Sequence, residues 1–166
     1  MYVRLVQTAA LLATGLLTGA FGYGLANLAP TFHRVPLQMR LEFHSELMKN
    51  NSISMQITMA LAAVSCFGLA ALHRDRIRAL AAAAGLLVVA SFVITRFGNV
   101  PINRQIRAWI TDGTPDDYAD ILTRWDLFHG LRTGTSLLAF LLVIVIATWM
   151  TRTHRAAPES QAPAMA

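Results

Sequence analysis

The chain has 166 residues, enough for one domain; hydrophobic residues make up 55% of it and charged residues only 14%. Soluble domains average roughly 45–50% and about 25%, so this composition excludes a disordered chain and favours a membrane protein. The formal net charge of +5 would suit nucleic-acid binding, but the basic residues are spread between apolar blocks and form no stripe. Basic residues that flank apolar segments are typical of membrane proteins, so we expect no nucleic-acid partner.

Four stretches of the chain are apolar and free of charged residues, namely residues 5–29, 50–72, 79–95 and 133–151. About 20 apolar residues at 1.5 Å each cross a hydrocarbon layer of ~30 Å. We therefore predict an all-α bundle of four transmembrane helices in a single domain, residues 1–151. The predicted spans are residues 5–29, 52–72, 79–97 and 131–150. The tail, residues 152–166, is rich in Ala, Pro and Ser and is predicted to be disordered.

The first apolar stretch is too long for the 7–15 residues of a signal-peptide core, so we interpret it as a retained span. Gly15 and Gly19 are four residues apart, a spacing that lets another helix approach closely. Pro30 is predicted to end this span, because proline cannot continue a helix without losing a hydrogen bond.

The connection after the first span is predicted to hold an extramembrane helix at residues 37–49, followed by a cap at residues 50–52 that begins the second span. Within it, His44 lies between Glu42 and Glu46, which suggests metal ligands. Residues two apart point to opposite faces of a helix, so a metal would require His44 to meet His129 from another helix. We predict no metal and no cofactor, and interpret this segment as a solvated helical face.

The connection between the third and fourth spans is predicted to be structured. Pro101 suits the first turn of a new helix, and an apolar stripe follows at Ile102, Ile106 and Trp109. We predict an amphipathic extramembrane helix at residues 101–112 that stops at Gly113.

Residues 114–117, Thr-Pro-Asp-Asp, then predict the start of a helix at residues 115–130 that continues into the last span. This last helix is longer than a bilayer requires, so we predict that it projects beyond the membrane.

Four chemically distinctive side chains share one face of this last helix. At 100° per residue, Tyr118, Trp125, His129 and Arg132 fall on one stripe near the predicted membrane boundary. Arg132 alone would suit a snorkelling anchor, and Trp125 alone an interfacial aromatic. An ionisable pair beside aromatic residues indicates a functional site.

Two motifs resemble a known family. Asn99-x-Pro101-x-Asn103 ends the third span, and Trp125-x-x-x-His129-x-x-Arg132 leads into the fourth. Together they are similar to the anthrone oxygenase-like family of four-span membrane proteins, also designated DUF1772. The resemblance implies oxidation of an anthrone methylene to a quinone carbonyl by O₂, and it implicates the five non-proline residues of these motifs. Many members carry Met-Gln-x-Ile-Asn before the second span, whereas residues 55–57 here are Met-Gln-Ile, without the asparagine.

Anthrone oxidation begins with loss of a proton beside a carbonyl, which requires a base and donors for the developing oxyanion. Histidine has the near-neutral pKa of such a base, so His129 is our predicted base, with Arg132 and Asn103 as oxyanion donors. Trp125, Tyr118 and Asn99 are the predicted substrate-binding residues, the two rings by stacking on a flat aromatic.

A non-catalytic membrane module remains the alternative, in which both motifs only hold helices together around a partner or lipid. A polar pocket ringed by Asn99, Asn103, His129 and Arg132 would favour the enzyme, and a filled core would favour the module. A transporter is disfavoured because no acidic residue lies within a predicted span. The expected partners are a small lipophilic substrate and the bilayer. The compact basic turn at residues 73–78 predicts that both termini are cytoplasmic.

Overall fold

The computed structural model describes residues 2–155, and the regular structure within them is helical throughout. The helices are α1 (Tyr2–Tyr23), α2 (Ala29–Phe32), α3 (Leu37–Leu72), α4 (Asp75–Ile94), α5 (Val100–Asp112) and α6 (Tyr118–Arg155). Two π-helical turns join them, π turn 1 (Gly24–Leu28) between α1 and α2 and π turn 2 (Thr95–Asn99) between α4 and α5. The predicted all-α class is confirmed.

Among the described residues, four continuous helical stretches are long and apolar enough to cross a membrane: Tyr2–Phe32, Leu37–Leu72, Asp75–Asp112 and Tyr118–Trp149. Large apolar side chains cover their outer faces; Ile53 is 71% exposed and Val64 70% exposed. Such a surface suits lipid, since hydrocarbon tails solvate these side chains as water cannot. The chain is a multi-pass membrane protein.

Each π turn carries its helix past a proline. Ala29 N–H bonds to the Gly24 carbonyl just before Pro30, and Val100 N–H bonds to the Thr95 carbonyl just before Pro101. Proline lacks an N–H, and its ring clashes with the carbonyl four residues earlier; the wider π turn accommodates both effects. The prediction that Pro30 ends the first helical stretch is therefore wrong. The amphipathic helix after Pro101 exists, but it continues α4 directly.

The helix boundaries differ from the sequence predictions at three further places. α3 runs unbroken through residues 50–52, so there is no cap there and no separate helix at residues 37–49. Gly113, at a φ of 85°, ends α5 as predicted, whereas α6 begins at Tyr118, after a turn at residues 116–117. Of the tail predicted to be disordered, residues 152–155 continue α6, and residues 156–166 lie outside the described residues.

The half of the bundle nearest the termini has a closely packed core, and we call this half the closed half. Small side chains dominate it, with Ala10, Ala62, Ala81, Ala84 and Ala139 all fully buried. Small residues let helix backbones approach, and hydroxyls then bond across helices.

Thr18 Oγ1 donates to the Ser136 carbonyl at 2.9 Å, and Ser91 Oγ donates to the Arg132 carbonyl at 3.2 Å. Of the glycine pair predicted to pack closely, Gly15 meets the Phe140 ring, while a Cβ on Gly19 would have no described atom within 4 Å.

Candidate functional site

The other half of the bundle contains a cavity of about 370 Å³ between α1, α3, α4 and α6. This volume lies within the range of ligand pockets, roughly 300–1,000 Å³. Both π turns contribute to the wall, and most of its residues are apolar or aromatic. The polar side chains in the wall are Asn51, Ser52, Gln56, Thr95, Arg96, Asn103, Arg104, His129 and Arg132.

Three members of the predicted stripe on α6 point into the bundle. Trp125, His129 and Arg132 are 2%, 3% and 7% exposed, and all three line the cavity. Tyr118 does not line it; this ring packs against a second apolar cluster formed with Ile106 and neighbouring residues of α5. A charged side chain on a membrane helix is expected to face the protein interior, and Arg132 does so.

Arg132 and His129 form a hydrogen-bonded pair one helical turn apart. Arg132 Nε donates to His129 Nδ1 at 2.9 Å, and the Arg132 guanidinium lies 4.4 Å from the centre of the Phe21 ring. Because arginine can only donate, Nδ1 must be the acceptor, and a neutral His129 ring carries its proton on Nε2. No described carboxylate lies within ion-pairing distance of Arg132, so its positive charge is available to a ligand.

The His129 ring also depends on a glycine. A Cβ atom on Gly24 would lie 2.8 Å from His129 Nε2, closer than van der Waals contact allows. π turn 1 therefore brings bare backbone against the imidazole, an approach that any larger residue would block.

Asn103 is held by two donors. Its Oδ1 accepts from Trp125 Nε1 at 2.7 Å and is 3.0 Å from His44 Nε2. An indole N–H can only donate, which identifies this amide atom as the oxygen and makes His44 Nε2 the second donor. With the oxygen occupied, the group that Asn103 can offer to the cavity is its NH₂ donor.

Asn99 has a structural position instead. It is fully buried, it is not part of the cavity wall, and its Nδ2 donates to the Trp125 carbonyl at 3.0 Å. The two asparagines of the motif therefore differ: Asn103 faces the cavity, and Asn99 fixes π turn 2 to α6. Asn99 and Tyr118, both predicted to bind substrate, are not brought to the cavity.

The α3 segment interpreted as a solvated face is solvated on one side only. Its two glutamates are exposed, whereas Arg40 and His44 on the other side are 5% and 0% exposed. Met48 and Met55 continue the buried side as part of the cavity wall. These four residues recur at intervals of four or seven, the repeat of one helix face. The signal was present in the sequence, but the helix break assumed at residues 50–52 divided it.

The two candidate metal ligands do not form a site together. His44 packs edge-on against the Trp125 ring at 4.7 Å between centroids, and His129 stacks on the same ring at 5.0 Å. Each histidine already has a polar partner of its own. Within residues 2–155 there is no group of three or more His, Cys, Asp or Glu side chains with metal-binding geometry, so this donor set does not fit a metal held by His44 and His129.

The family comparison agrees with the motifs. The family model described as anthrone oxygenase matches residues 45–142, more than half of the chain. The matched region includes both motifs and therefore Asn103, Trp125, His129 and Arg132 in the cavity wall. No curated protein and no solved structure gives a significant match.

Proposed function

This chain belongs to the anthrone oxygenase family, and we propose that it is a membrane oxidoreductase that oxidises a lipophilic, anthrone-like aromatic with O₂. In the overall reaction a ring CH₂ and O₂ give a ring C=O and water, so one oxygen atom enters the product and the other leaves as water. The observation that carries the proposal is the convergence of Arg132, His129 and Asn103 on one largely apolar cavity.

Arg132 and Asn103 are the proposed oxyanion donors. Loss of a proton from the CH₂ group leaves negative charge on the neighbouring carbonyl oxygen, and preorganised donors lower the energy of that state. Arg132 has no described carboxylate partner, and the oxygen of Asn103 is occupied. Both groups can therefore present N–H bonds to the enolate without first breaking an ion pair.

His129 is the proposed base, and its hydrogen bond to Arg132 sets a condition on that role. The lone pair of Nδ1 accepts from Arg132 Nε, so it is free to take a proton only after Arg132 turns towards another acceptor. The substrate oxygen is such an acceptor. We propose that substrate binding draws Arg132 to the oxygen and releases Nδ1 in the same step.

The aromatic wall suits a flat substrate. Trp125, Phe21 and Phe32 line the cavity, and aromatic side chains pack favourably against ring systems in offset or edge-on arrangements. The enolate formed by deprotonation is electron-rich, so it can reduce O₂ directly; burial among these rings would protect it from water.

The test is O₂ uptake and quinone formation by the purified protein with anthrone in lipid nanodiscs. His129→Asn retains a side-chain oxygen to accept from Arg132 but has no titratable ring, whereas His129→Ala removes both. If His129 is the base, both variants should lose turnover by about 10²–10⁴. If the asparagine variant keeps turnover, His129 only positions Arg132. Anthrone binding without O₂ uptake by the wild type would instead support the non-catalytic module.

We also propose that both termini lie in the cytoplasm. The four apolar stretches within residues 2–155 place both ends of this region on one side, and the cavity lies in the half of the bundle away from them. In this orientation the cavity lies towards the outer leaflet. Labelling of single cysteines placed at residues 74 and 113 by an impermeant thiol reagent tests it, with reaction of intact cells expected at residue 113 alone.

A further inference from the structure

The cavity wall is strongly unbalanced in charge. Three arginines line it, Arg96, Arg104 and Arg132, and no described Asp or Glu does so. Arg132 is buried and belongs to the proposed reaction. The other two are exposed at the mouth of the cavity, and the proposed chemistry gives them no role.

Neither mouth arginine is neutralised by the described part of the protein. Arg96 and Arg104 form no ion pair and no side-chain hydrogen bond there, and the Arg96 guanidinium lies 5.8 Å from the centre of the Phe97 ring. Arginine recognises planar oxyanions through paired N–H donors. Two unpaired guanidinium groups beside an apolar cavity are therefore suited to hold an anionic group of a cavity ligand.

An amide on α3 is placed to assist them. α3 and the α4–α5 stretch are the two arms of a hairpin that turns at residues 73–74, and the contact between His44 and Asn103 fixes their register. Seven residues nearer the turn on each arm, Asn51 of α3 lies at the height of Arg96. Asn51 lines the cavity, and no hydrogen bond engages its side chain in the described structure.

The two mouth arginines lie at different heights along the bundle. Arg96 and Arg104 are eight residues apart, so at 1.5 Å per residue their backbones are separated by about 12 Å along the helix axis. Their guanidinium groups can meet one anionic group only by reaching towards each other, and the largely apolar wall of the cavity takes the rest of the ligand.

We propose that Arg96 and Arg104, with Asn51, form an anion-binding subsite at the cavity mouth. The ligand class is a lipophilic molecule whose apolar body fills the cavity and whose carboxylate or phosphate is held at the mouth. This inference rests on the proposed function for the position of the reacting oxygen at Arg132. The anionic group belongs either to the substrate itself or to the headgroup of an acidic lipid.

The test compares two probes of one shape in phosphatidylcholine nanodiscs, anthracene-2-carboxylate and its neutral partner anthracene-2-carboxamide. Binding is followed by the fluorescence anisotropy of the probe. We expect the wild type to bind the carboxylate at least about tenfold more tightly than the carboxamide. The double variant Arg96→Gln/Arg104→Gln should lose this preference and keep its affinity for the carboxamide, which also shows that it is folded.

Arg107→Gln is the matched control, because Arg107 is exposed on the same helix but does not line the cavity. This variant should bind both probes as the wild type does. A double variant that keeps the full carboxylate preference overturns the inference, since the preference then comes from Arg132 alone. A wild type without any preference overturns it as well.

A second arm identifies the source of the anion. Phosphatidylglycerol added to the nanodiscs should weaken carboxylate binding to the wild type, but not to the double variant, if a lipid headgroup occupies the subsite. Unchanged binding assigns the subsite to the ligand's own acidic group. These measurements need no turnover. A protein that prefers the carboxylate but does not turn over anthrone supports the subsite and contradicts the proposed reaction. A protein that turns over anthrone but shows no preference supports the reaction and contradicts the subsite.

Discussion

The same four membrane helices pack closely in one half of this bundle and surround a cavity in the other. In the closed half, buried alanines such as Ala10, Ala81 and Ala139 allow the helices to approach closely. In the cavity half, the two π turns, the rings of Phe21 and Trp125 and the arginines surround a space of about 370 Å³.

The difference lies in the size and polarity of the side chains that meet. Helices in lipid gain little hydrophobic free energy by associating, so close packing and hydrogen bonds hold them together. Alanine faces provide the close packing of the closed half, while the cavity half relies on hydrogen bonds between helices, made by Asn99 and Asn103. A polar cavity is stable in this bundle because the closed half supplies the packing.

After the loss of His129, the largest effect on turnover is expected from removing the buried charge of the cavity half. Arg132→Met keeps much of the side-chain length but removes the proposed oxyanion donor, so turnover of anthrone should fall by about 10²–10³. Arg132→Lys is the control, since it retains a charge without the Nε bond to His129, and it should be affected less. Initial rates of quinone formation measure both. Wild-type turnover in the methionine variant would contradict the proposed role.

Enlarging one glycine should damage the cavity half selectively. Gly24→Ala places a methyl group 2.8 Å from His129 Nε2, so the imidazole must move, and we expect turnover to drop by about tenfold, as for a small displacement of a catalytic group. Gly22→Ala is the matched control, because a Cβ there meets no described atom within 4 Å. Equal turnover in the two variants would show that the His129 position is unimportant.

Overpacking in the closed half should reduce stability rather than activity. A Cβ on Gly85 would lie 2.8 Å from the Phe67 ring, and such clashes cost about 1–3 kcal/mol unless the ring can move aside. Thermal unfolding of Gly85→Ala in detergent should therefore occur at a lower temperature, with affinity for the anthracene probes unchanged. A loss of affinity without a loss of stability would mean that the two halves are coupled.

The hydrogen bond between π turn 2 and α6 tests what holds the helices of the cavity half together. Asn99→Ala removes the donor to the Trp125 carbonyl and should lower the free energy of unfolding by about 1 kcal/mol. Thr18→Val removes the bond to the Ser136 carbonyl in the closed half and should cost a similar amount. Only the Asn99 variant should also change probe affinity, because Trp125 lines the cavity.

The smallest effect is expected on the outer surface. A Cβ on Gly134 would meet no described atom within 4 Å, so Gly134→Ala should change the free energy of unfolding by no more than about 0.5 kcal/mol. Thermal unfolding checks this, with Gly85→Ala as the sensitive comparison. A large loss at Gly134 would show that this face is covered by something other than lipid.

The sequence alone determined the number of apolar spans and the stripe on α6. Apolar length sets the number of spans whatever their arrangement, and within one unbroken helix the 100° step fixes which side chains share a face. Trp125, His129 and Arg132 were therefore found before any fold was known. Their roles in catalysis remain proposals.

Only the tertiary structure decided what depends on contacts between helices. Local sequence predicts a helix boundary at Pro30 and at Pro101. The π turns continue both helices instead, because packing against neighbours stabilises the wider turn. Nothing in the motif distinguishes Asn99 from Asn103, since their partners come from α6 and α3. The rings that cover His44 likewise come from other helices; the repeat along α3 marks its buried face, but local sequence carries no information about which neighbours cover that face.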